Sequence, residues 1–378
     1  MLPSTRVAKS LLLVPCWMIS RTVERGTDGS KIYRRRFIFG ECMLKKKNSI
    51  KIWNPGRFLE LSGAYWETCV LHAAVKLDIF TVIRKKRLTS ESVARHIGAN
   101  EKAVLMLLNA LSAMKLLTKK GESYSNTSAA LSFLSKESAQ YLGYIILHHH
   151  GLMASWQQLD RAVKSGKPIR AGIAQRNKEE RKNFLLGMFN IAMTFAPRLV
   201  AKIDISGRKH LLDLGGGPGT YAIHFCMNNP GLAATVCDLP TTKAFAQETV
   251  KKFHLTDRID FKAVDYLRDH IPGTYDVAWL SHILHGEGSQ DCQKIVRKAV
   301  SVLKPGGMII VHEFILNNTM DGPLFPALFS LNMLLGTNRG HAYSENQIKG
   351  MLIQAGVKKV RRIPFQSPND SGIISGMV

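Results

Sequence analysis

One stretch of this chain, LLDLGGGPGT at residues 211–220, constrains the fold more than any other. Three leucines and an aspartate lead directly into glycines and a proline, and a helical pattern begins at Tyr221. The pattern predicts a buried strand, a tight turn and the start of a helix. Glycine suits such a turn because it adopts backbone angles that side chains forbid and lets a ligand approach bare backbone. Free N–H groups at the helix start favour an anionic or polar ligand; a structural turn without a ligand is the alternative.

A second strand, residues 234–237, ends at Asp238. In doubly wound folds, an acid at this position accepts hydrogen bonds from the hydroxyl groups of a ribose. The dinucleotide-binding pattern fits poorly, because Pro218 and Gly219 close the loop one residue early. Asp213 also suits a ligand with an ammonium group and a ribose better than it suits a pyrophosphate. The loop therefore favours S-adenosylmethionine as the cofactor.

Strands and helices alternate from His210 to the end of the sequence. The predicted strands are residues 210–214, 233–237, 259–264, 275–283 and 307–315, with two more near 357–364 and 372–378. Such alternation predicts an α/β fold with a largely parallel, Rossmann-like sheet and helices on both faces. Ligands bind such sheets beyond the carboxyl ends of the strands, so polar side chains at those ends are site candidates.

Four motifs in this region occur in a recognisable order. They are LLDLGGGPGT at 211–220, CDLP at 237–240, VAWLSHILHGEG at 277–288 and LKPGGMIIVHEFIL at 303–316. Together they resemble the S-adenosylmethionine-dependent small-molecule O-methyltransferases of the caffeic-acid and acetylserotonin type, in particular the bacterial branch. The resemblance covers residues 53–378 and implies the class I methyltransferase sheet. The cofactor residues that we expect are Asp213, Gly215, Gly217, Gly219, Asp238, Leu239, Asp265, Tyr266 and Ser281.

A histidine and a glutamate follow neighbouring strands of the predicted sheet. His285 comes after the strand that contains YDVAWLS, and Glu313 ends the next strand. A base at this position could remove the proton of an acceptor hydroxyl during methyl transfer, and a carboxylate on its other nitrogen would fix the tautomer. The resemblance implies the same catalytic roles for the two residues. His282 and His312 are expected to pack or to support the site instead.

The chain departs from the family pattern at three points. The acidic–tryptophan pair after the catalytic histidine is Gly286-Glu287, and Ser281 replaces a lysine. A second family glutamate falls on Ala342, so one helper is missing, and His341 and Tyr343 are candidates to compensate.

The acceptor pocket is expected beside a helix over residues 183–202. The resemblance places Met188 of this helix against the substrate, although a methionine in an apolar stripe is as often plain core. Trp156 and Met333 are further candidates for this pocket. The helix at 141–156 contains three successive histidines, 148–150, but adjacent side chains on a helix point apart, so no metal site is expected.

An N-terminal helical module precedes the sheet. A helical pattern with one broad apolar face covers residues 53–80, and helix, turn, helix and hairpin follow over 89–127, as in a winged helix. DNA binding is one interpretation. However, the second helix, at 101–114, carries one lysine and many leucines, which leaves few donors for base edges. The resemblance implies instead that this module forms the interface of a homodimer.

These patterns divide the chain into four segments. They are an extension at 1–42, a winged-helix dimerisation domain at 43–150, linking helices at 151–200 and a catalytic domain at 201–378. The extension shows neither a helical nor a strand period. Three interpretations of it are open: an upstream stretch with translation starting at Met43, a disordered basic arm, or a targeting segment.

The net charge of +24 is unevenly distributed. Residues 1–47 carry +8 and residues 48–199 carry +12, whereas residues 200–378 carry only +4. The near-balanced catalytic region argues against a nucleic-acid partner. Six cysteines without a C-x-x-C pair favour a reducing, cytoplasmic location. The longest apolar run near the start is shorter than the ~20 residues of a membrane helix, so no membrane span is expected.

The predicted function is S-adenosylmethionine-dependent methylation of a hydroxyl on a small aromatic or apolar molecule. Methylation at carbon or nitrogen is the alternative within enzymes, since one scaffold hosts both. A ligand-sensing winged-helix regulator is the alternative from another class. The pairing of His285 with Glu313 argues against it, because a sensor needs no base. A nucleic-acid methyltransferase is disfavoured because the strand ends in SHIL rather than N/D-P-P-Y.

Overall fold

The computed structural model describes residues 18–25, 31–38, 53–172, 175–365, 367 and 369–378. The chain divides into two units, Met1–Thr68 and Cys69–Val378. The helices are α1 Pro55–Gly63, α2 Tyr65–Lys76, α3 Ile79–Ile83, α4 Ser90–Ile97, α5 Glu101–Ala113, α6 Ser128–Leu134, α7 Gly143–Trp156, α8 Leu159–Ser165, α9 Lys178–Val200, α10 Thr220–Asn228, α11 Lys243–Lys252, α12 Ser289–Ser301, α13 Leu324–Gly336 and α14 Glu345–Gln354. The strands are β1 Met18–Arg25, β2 Lys31–Ile38, β3 Leu88–Thr89, β4 Leu117–Lys120, β5 Ser123–Asn126, β6 His210–Leu214, β7 Ala233–Asp238, β8 Ile259–Ala263, β9 Tyr275–Ser281, β10 Leu303–Leu316, β11 Tyr343–Ser344, β12 Lys358–Ile363 and β13 Ser371–Met377.

The first two strands correct one expectation from the sequence. β1 and β2 pair as an antiparallel hairpin, with Met18 opposite Ile38 and Arg25 opposite Lys31. Both segments are rich in β-branched and aromatic residues, which favour strands, but they lack the alternation by which a half-buried strand is recognised. Residues 1–17, 26–30 and 39–52, and with them the alternative start at Met43, lie outside the described residues.

The single helix expected over residues 53–80 is three helices, α1, α2 and α3. α1 ends at Gly63, and Asp78 between α2 and α3 has a left-handed backbone with φ 56°, which interrupts helical geometry. The apolar face predicted here is only partly buried. His72 and Val75 are buried, whereas Phe58 is 59% exposed.

The helix, turn, helix and hairpin predicted after this region are present. α4 and α5 are joined by Gly98, which has a left-handed backbone, and Asn100 caps α5 by accepting the N–H of Ala103 at 3.0 Å. β4 and β5 form the hairpin, and β3 completes a small sheet in the order β3-β5-β4. The residues that α5 buries are Val104, Leu108 and Leu111. Leu105 and Met106 of the same helix are exposed.

The large sheet confirms the predicted α/β fold. Its strand order is β12-β13-β10-β9-β6-β7-β8, and the pairs from β10 to β8 are all parallel. β13 is antiparallel to both of its neighbours. β6 lies between β7 and β9, so the strand order reverses beside it, and ligands of such sheets bind at this point.

Side chains of the central strands enter two separate hydrophobic cores. Along β9, Ala278 and Leu280 belong to one core, and Val277 and Trp279 to the other. The period of two places these pairs on opposite faces of the sheet. Burial on both faces explains why these strands are continuously apolar in sequence. β9 ends at Ser281, two residues before the predicted end, because His282 turns the chain with a φ of 56°.

α9 begins at Lys178 rather than at the predicted residue 183, because Asn177 caps it by accepting the N–H of Glu180 at 2.9 Å. By length and composition, α9 could cross a membrane, and it is the only helix in the described part of the chain that meets this test. In this fold it packs against α7 and α10.

Candidate active site

The glycine-rich loop after β6 depends on backbone angles that favour glycine. Gly215, Gly217 and Gly219 all have left-handed backbones, with φ of 66°, 52° and 77°. A side chain is also excluded at Gly216, where a Cβ atom would lie 2.6 Å from the carboxylate carbon of Asp213. At Gly217, by contrast, no atom lies within 4 Å of the Cβ position. The loop therefore presents bare backbone to open space at its tip.

Asp238 links this loop to the end of β7. Its Oδ2 accepts the N–H of Gly217 at 2.8 Å, and its Oδ1 accepts the N–H of Leu239 at 2.6 Å and the hydroxyl of Thr242 at 3.1 Å. Burial raises the pKa of Asp238, and these donors oppose that rise. The side chain stays partly exposed beside the open tip of the loop.

Asp213 lies beneath the loop and has no exposed surface. Its Oδ2 accepts the N–H of Ala222 in α10 at 3.1 Å, and its Oδ1 is buried without a hydrogen-bond partner among the described residues. Burial raises the pKa of this carboxyl group to about 7. Its contacts therefore hold the loop and the start of α10 together from below.

The remaining candidates for the cofactor site occupy the same edge of the sheet. Tyr266 lies beside the loop, with a ring carbon 3.6 Å from the Cβ position of Gly215. The neighbouring Asp265 accepts the N–H of Leu267 at 3.0 Å. Ser281, at the end of β9, lies 3.0 Å from Nδ1 of His312. The structure thus gathers the ends of β6, β7, β8 and β9 around one space.

His285 and Glu313 form a hydrogen-bonded pair next to this space. His285 lies in a short helical turn after β9, and its Nδ1 is 2.8 Å from Oε2 of Glu313 in β10. The other carboxylate oxygen, Oε1, accepts the N–H of Leu284 at 2.8 Å. Burial alone would raise the pKa of Glu313, but electrostatic attraction to His285, the hydrogen bond from the His285 ring and the nearby His282 hold it well below its usual range. Glu313 is therefore a buried, ionised carboxylate.

This pairing determines which proton His285 carries. An ionised carboxylate only accepts hydrogen bonds, so Nδ1 of the imidazole must be the donor. In the neutral ring, Nε2 is then the acceptor. Only 14% of the His285 side chain is exposed. The arrangement can hold a neutral imidazole with one nitrogen ready to take up a proton.

His282 was expected to have a supporting role, and the structure places it against the same carboxylate. Its Nδ1 lies 3.6 Å from Oε2 of Glu313 and has no hydrogen-bond partner in the described part of the chain. The ligand atoms of His282, His285 and Glu313 lie within 4.8 Å of one another. Two imidazoles and a carboxylate are a donor set that Zn²⁺ accepts. The sequence predicted the pairing of His285 with Glu313 but not the approach of His282, which depends on the left-handed backbone of that residue.

His312 has a packing role. It is buried, and its two ring nitrogens each lie 3.0 Å from a serine hydroxyl, that of Ser281 and that of Ser371. Burial, followed by the neighbouring His282, lowers the pKa of His312 well below its usual value. The ring therefore remains neutral and stacks on Trp279, with centroids 5.6 Å apart.

Two phenylalanines border His285, Phe314 from β10 and Phe329 from α13. The His285 ring lies 4.8 Å from Phe329 and 5.8 Å from Phe314, measured between centroids. Phe325 packs on Phe314 at 5.0 Å. Met333, a predicted acceptor contact, lies one turn beyond Phe329 on α13. The roles of these phenylalanines were not predicted from the sequence: Phe325 and Phe329 had only the apolar helix at 324–336 as a signal, and Phe314 only its place in the motif at 303–316.

The other two acceptor candidates lie on different helices. Met188 is half-buried on α9, and Trp156 is half-buried at the end of α7. α7 and α9 pack on each other, with the rings of His148 and Phe184 5.2 Å apart. Contact of Met188 or Trp156 with an acceptor stays a prediction.

The residues proposed to replace the missing helper have other partners. Ala342 is buried, in agreement with its lack of a polar group. The hydroxyl of Tyr343 donates to the carbonyl of Glu287 at 2.6 Å, and Nδ1 of His341 lies 3.2 Å from the carbonyl of Arg339. Neither side chain takes the place of a second carboxylate at His285.

A glycine-rich loop and a histidine–glutamate pair at the carboxyl ends of a mostly parallel sheet are typical of group-transfer enzymes that use a nucleotide cofactor. Comparison with known proteins narrows this class. The O-methyltransferase domain family matches residues 156–358, and the O-methyltransferase dimerisation domain family matches residues 59–136. The chain is 30% identical over 329 residues to 3-hydroxy-5-methyl-1-naphthoate 3-O-methyltransferase of Streptomyces sahachiroi, covering 85% of this chain and 95% of that protein.

Two further proteins to which the chain is similar are also methyltransferases. Acetylserotonin O-methyltransferase of Bos taurus is 28% identical over 320 residues, covering 80% of this chain and 92% of that protein. A solved structure of PigF with SAH, from Serratia sp., is similar with a TM-score of 0.80 and 25% identity, covering 86% of this chain and all of that one. The chain belongs to the O-methyltransferase family. It is an S-adenosylmethionine-dependent methyltransferase with an N-terminal dimerisation domain.

Proposed function

We propose that the enzyme transfers the methyl group to a hydroxyl of a small aromatic molecule, with His285 as the general base. One observation carries the proposal: Nδ1 of His285 lies 2.8 Å from the buried, ionised Glu313. The S. sahachiroi and B. taurus relatives are both named for aromatic substrates, a naphthoate and acetylserotonin. The rings of Phe314 and Phe329 beside His285 suit an acceptor of this kind.

The residues around the glycine loop fit the cofactor. S-adenosylmethionine, when bound, supplies a methyl group activated by its sulfonium centre. Asp238 is partly exposed beside the open tip of the loop at Gly217 and has the carboxylate that ribose hydroxyls require. We assign Asp265 and Tyr266 to the adenine side of the site. Asp213 is buried, so we assign it an indirect role, in which it fixes the loop that meets the cofactor.

The proton of the acceptor hydroxyl moves to Nε2 of His285. Glu313 accepts the hydrogen bond from Nδ1–H of His285, which orients the ring, and its negative charge stabilises the imidazolium that forms. The aromatic side chains around His285 exclude water, which strengthens this interaction. His282 lies 3.6 Å from the same carboxylate oxygen and adds to the favourable electrostatic environment of the charge.

We also propose that the enzyme is a cytoplasmic homodimer. The matched dimerisation domain at 59–136 supports the dimer, as do the exposed Leu105 and Met106 on α5. Neighbouring exposed apolar side chains are typical of an interface. The four cysteines of the described part, Cys69, Cys226, Cys237 and Cys292, are all free, in agreement with a reducing compartment. Sedimentation should give twice the chain mass, and Leu105→Glu should shift it toward the monomer.

The role of His285 is tested by replacing it with alanine. Turnover of an aromatic hydroxyl should fall by ~10²–10⁴, the range for a lost general base, while calorimetry shows unchanged binding of S-adenosylmethionine. The loss should shrink as the pH rises, because solvent then supplies the deprotonated acceptor. His96→Ala, an exposed histidine on α4, is the matched control and should retain full activity. Full turnover by His285→Ala at every pH would exclude the proposed mechanism.

A further inference from the structure

His282 has a ring nitrogen that the fold buries without a partner. Its Nδ1 lies 3.6 Å from Oε2 of Glu313, which is too long for a good hydrogen bond, and this nitrogen has no hydrogen-bond partner among the described residues. The ring is held in place by Phe314 and His312, whose centroids are 4.3 and 4.4 Å away. A buried polar atom without a partner is rare in folded proteins, and a bound ion is one way to satisfy it.

The backbone of His282 is unusual as well. Its φ of 56° lies in the left-handed region, which residues other than glycine, asparagine and aspartate rarely adopt. Its main-chain N–H donates to the carbonyl of His312 at 2.8 Å, which fixes the turn after β9. This turn directs the side chain of His282 at the carboxylate that His285 also contacts. Strained residues of this kind are frequent at functional sites.

The spacing of the three side chains is that of ligands around one metal ion. Oε2 of Glu313 lies 2.8 Å from Nδ1 of His285 and 3.6 Å from Nδ1 of His282, and the ligand atoms of all three lie within 4.8 Å of one another. In a tetrahedral zinc site with bonds of about 2.1 Å, neighbouring ligand atoms are about 3.4 Å apart. The distances of 2.8 and 3.6 Å bracket this value, so small shifts of the side chains would seat an ion. Within the described ranges, this is the one group of three such residues.

The chemistry of these side chains selects the metal. Two imidazoles and one carboxylate, with a fourth position left for water, are a common ligand set for Zn²⁺. Mg²⁺ and Ca²⁺ prefer oxygen ligands, of which this group has few. The side chain of His282 is 25% exposed, compared with 14% for His285 and 3% for Glu313, so solvent reaches the group from the side of His282.

We propose that His282, His285 and Glu313 bind a Zn²⁺ ion and that this ion inhibits methyl transfer. The ion bonds to Nδ1 of His285, in place of the proton that this nitrogen shares with Glu313. The neutral ring then carries its proton on Nε2, so the nitrogen assigned to the acceptor can no longer take one up. The metal site goes beyond the proposed function, whereas the inhibition rests on it, because it requires His285 as the base.

The test titrates Zn²⁺ into the full chain by calorimetry and measures methyl transfer to a phenol at the same Zn²⁺ concentrations. Saturating Zn²⁺ should lower turnover of the wild type by ~10²–10⁴, the range for a lost general base. His282→Asn tests the site, because asparagine tolerates the left-handed backbone but has no imidazole. Its Zn²⁺ affinity should be about 100-fold weaker, the share of one ligand, and the Zn²⁺ concentration that halves turnover should rise by the same factor.

The controls separate this site from other zinc ligands on the protein. His96→Asn, which removes an exposed histidine on α4, should keep the Zn²⁺ affinity and the inhibition of the wild type. Mg²⁺ at the same concentrations should neither bind nor inhibit. Inhibition is expressed relative to the metal-free turnover of the same variant, because His282 also acts on Glu313.

Two results would overturn the metal site: Zn²⁺ binding that is unchanged in His282→Asn, and binding of Mg²⁺ as tight as that of Zn²⁺. If His282→Asn does not fold, His282→Gly replaces it, because glycine also adopts the left-handed backbone. Zn²⁺ binding that depends on His282 but leaves turnover intact would keep the site and reject the inhibition, together with the role of His285 as base. A protein that binds Zn²⁺ through His282 and methylates no hydroxyl, with or without metal, would reject the proposed function alone.

Discussion

Asp213 and Glu313 are two carboxylates in one sheet with opposite behaviour. One lies under the cofactor loop and the other beside the proposed base, and both are almost completely buried, at 0% and 2% exposure. Burial raises the pKa of Asp213 to about 7. The pKa of Glu313 stays well below its usual range despite the same burial. Burial alone therefore does not determine the charge of these groups.

The difference comes from their partners. Asp213 accepts one hydrogen bond, from the N–H of Ala222, and the nearby negative charge of Asp238 raises its pKa further. Glu313 accepts main-chain N–H groups from Leu284, His285 and Phe314, in addition to the His285 ring. Hydrogen bonds to the ionised form favour that form. The base region thus fixes a charge, whereas the loop region holds a group that titrates near neutral pH.

The largest effect expected from this comparison is on the pH dependence of stability, measured against the variant Asp213→Asn. The folded-state pKa of about 7 lies above the unfolded value of ~3.9, so the folded protein binds a proton that the unfolded chain has released. The free energy of unfolding should therefore fall as the pH rises from ~4 to ~7. Relative to Asp213→Asn, which cannot titrate, the wild type should lose roughly 4 kcal/mol over this range. Urea unfolding of both proteins at a series of pH values measures this loss. An equal change with pH in the two free energies of unfolding would contradict the raised pKa of Asp213.

The next effect is on turnover in Glu313→Gln. The amide can accept the N–H of Leu284, but it lacks the charge that favours a proton on Nδ1 of His285, so the reactive tautomer becomes less populated. Turnover should fall by roughly 10–10², the loss typical of a residue that orients an imidazole, and by less than in His285→Ala. Glu248→Gln, an exposed glutamate on α11, serves as control. A Glu313→Gln enzyme with full turnover would show that the fixed charge has no catalytic role.

Stability should respond to acid with the opposite sign at Glu313. Its folded-state pKa is depressed, so its stabilisation is present above the unfolded value of ~4.3 and is lost as the pH falls below it. At Asp213, by contrast, the free energy of unfolding falls as the pH rises toward about 7. At pH values below ~4.3, the free energy of unfolding of Glu313→Gln should therefore depend less on pH than that of the wild type.

Both regions could be located from the sequence, but their electrostatics could not. Strand periodicity and motif spacing placed Asp213 and Glu313 near carboxyl ends of strands, and the structure agrees. The free Oδ1 of Asp213 depends on how α10 packs over the loop. The approach of His282 to Glu313 depends on a left-handed turn at a residue that is not glycine. Neither feature has a local sequence signal.

The aromatic side chains beside His285 and the contact of Arg170 with Asn332 were missed for a related reason. Phe329 reaches His285 from a helix 44 residues further along the chain, and Arg170 reaches Asn332 across 162 residues. Such contacts are set by tertiary packing and not by local periodicity. The hairpin at 18–38 was missed because strand propensity without alternation is a weak signal.

A smaller effect is expected for the third carboxylate of the site, Asp238. Asp238→Ala removes the acceptor for ribose hydroxyls and for the N–H of Gly217. Affinity for S-adenosylmethionine should weaken by ~1–3 kcal/mol, the cost of leaving such groups unpaired. Asp238→Asn is the matched variant and should lose less, because its amide oxygen still accepts. Unchanged affinity in Asp238→Ala, measured by calorimetry, would remove this residue from the cofactor site.

The smallest effect should come from an exposed carboxylate with a short ion pair. Glu91 lies 2.6 Å from Arg95 on α4, closer than Glu313 lies to His285, but the two side chains are 63% and 74% exposed. Water and salt screen such a pair, so Glu91→Gln should cost only ~0.3–0.5 kcal/mol of unfolding free energy. A double-mutant cycle with Arg95→Gln isolates the coupling, which should vanish in about 1 M salt. A coupling above ~1 kcal/mol would mean that distance, and not the combination of burial and partners, sets the energy of carboxylates in this protein.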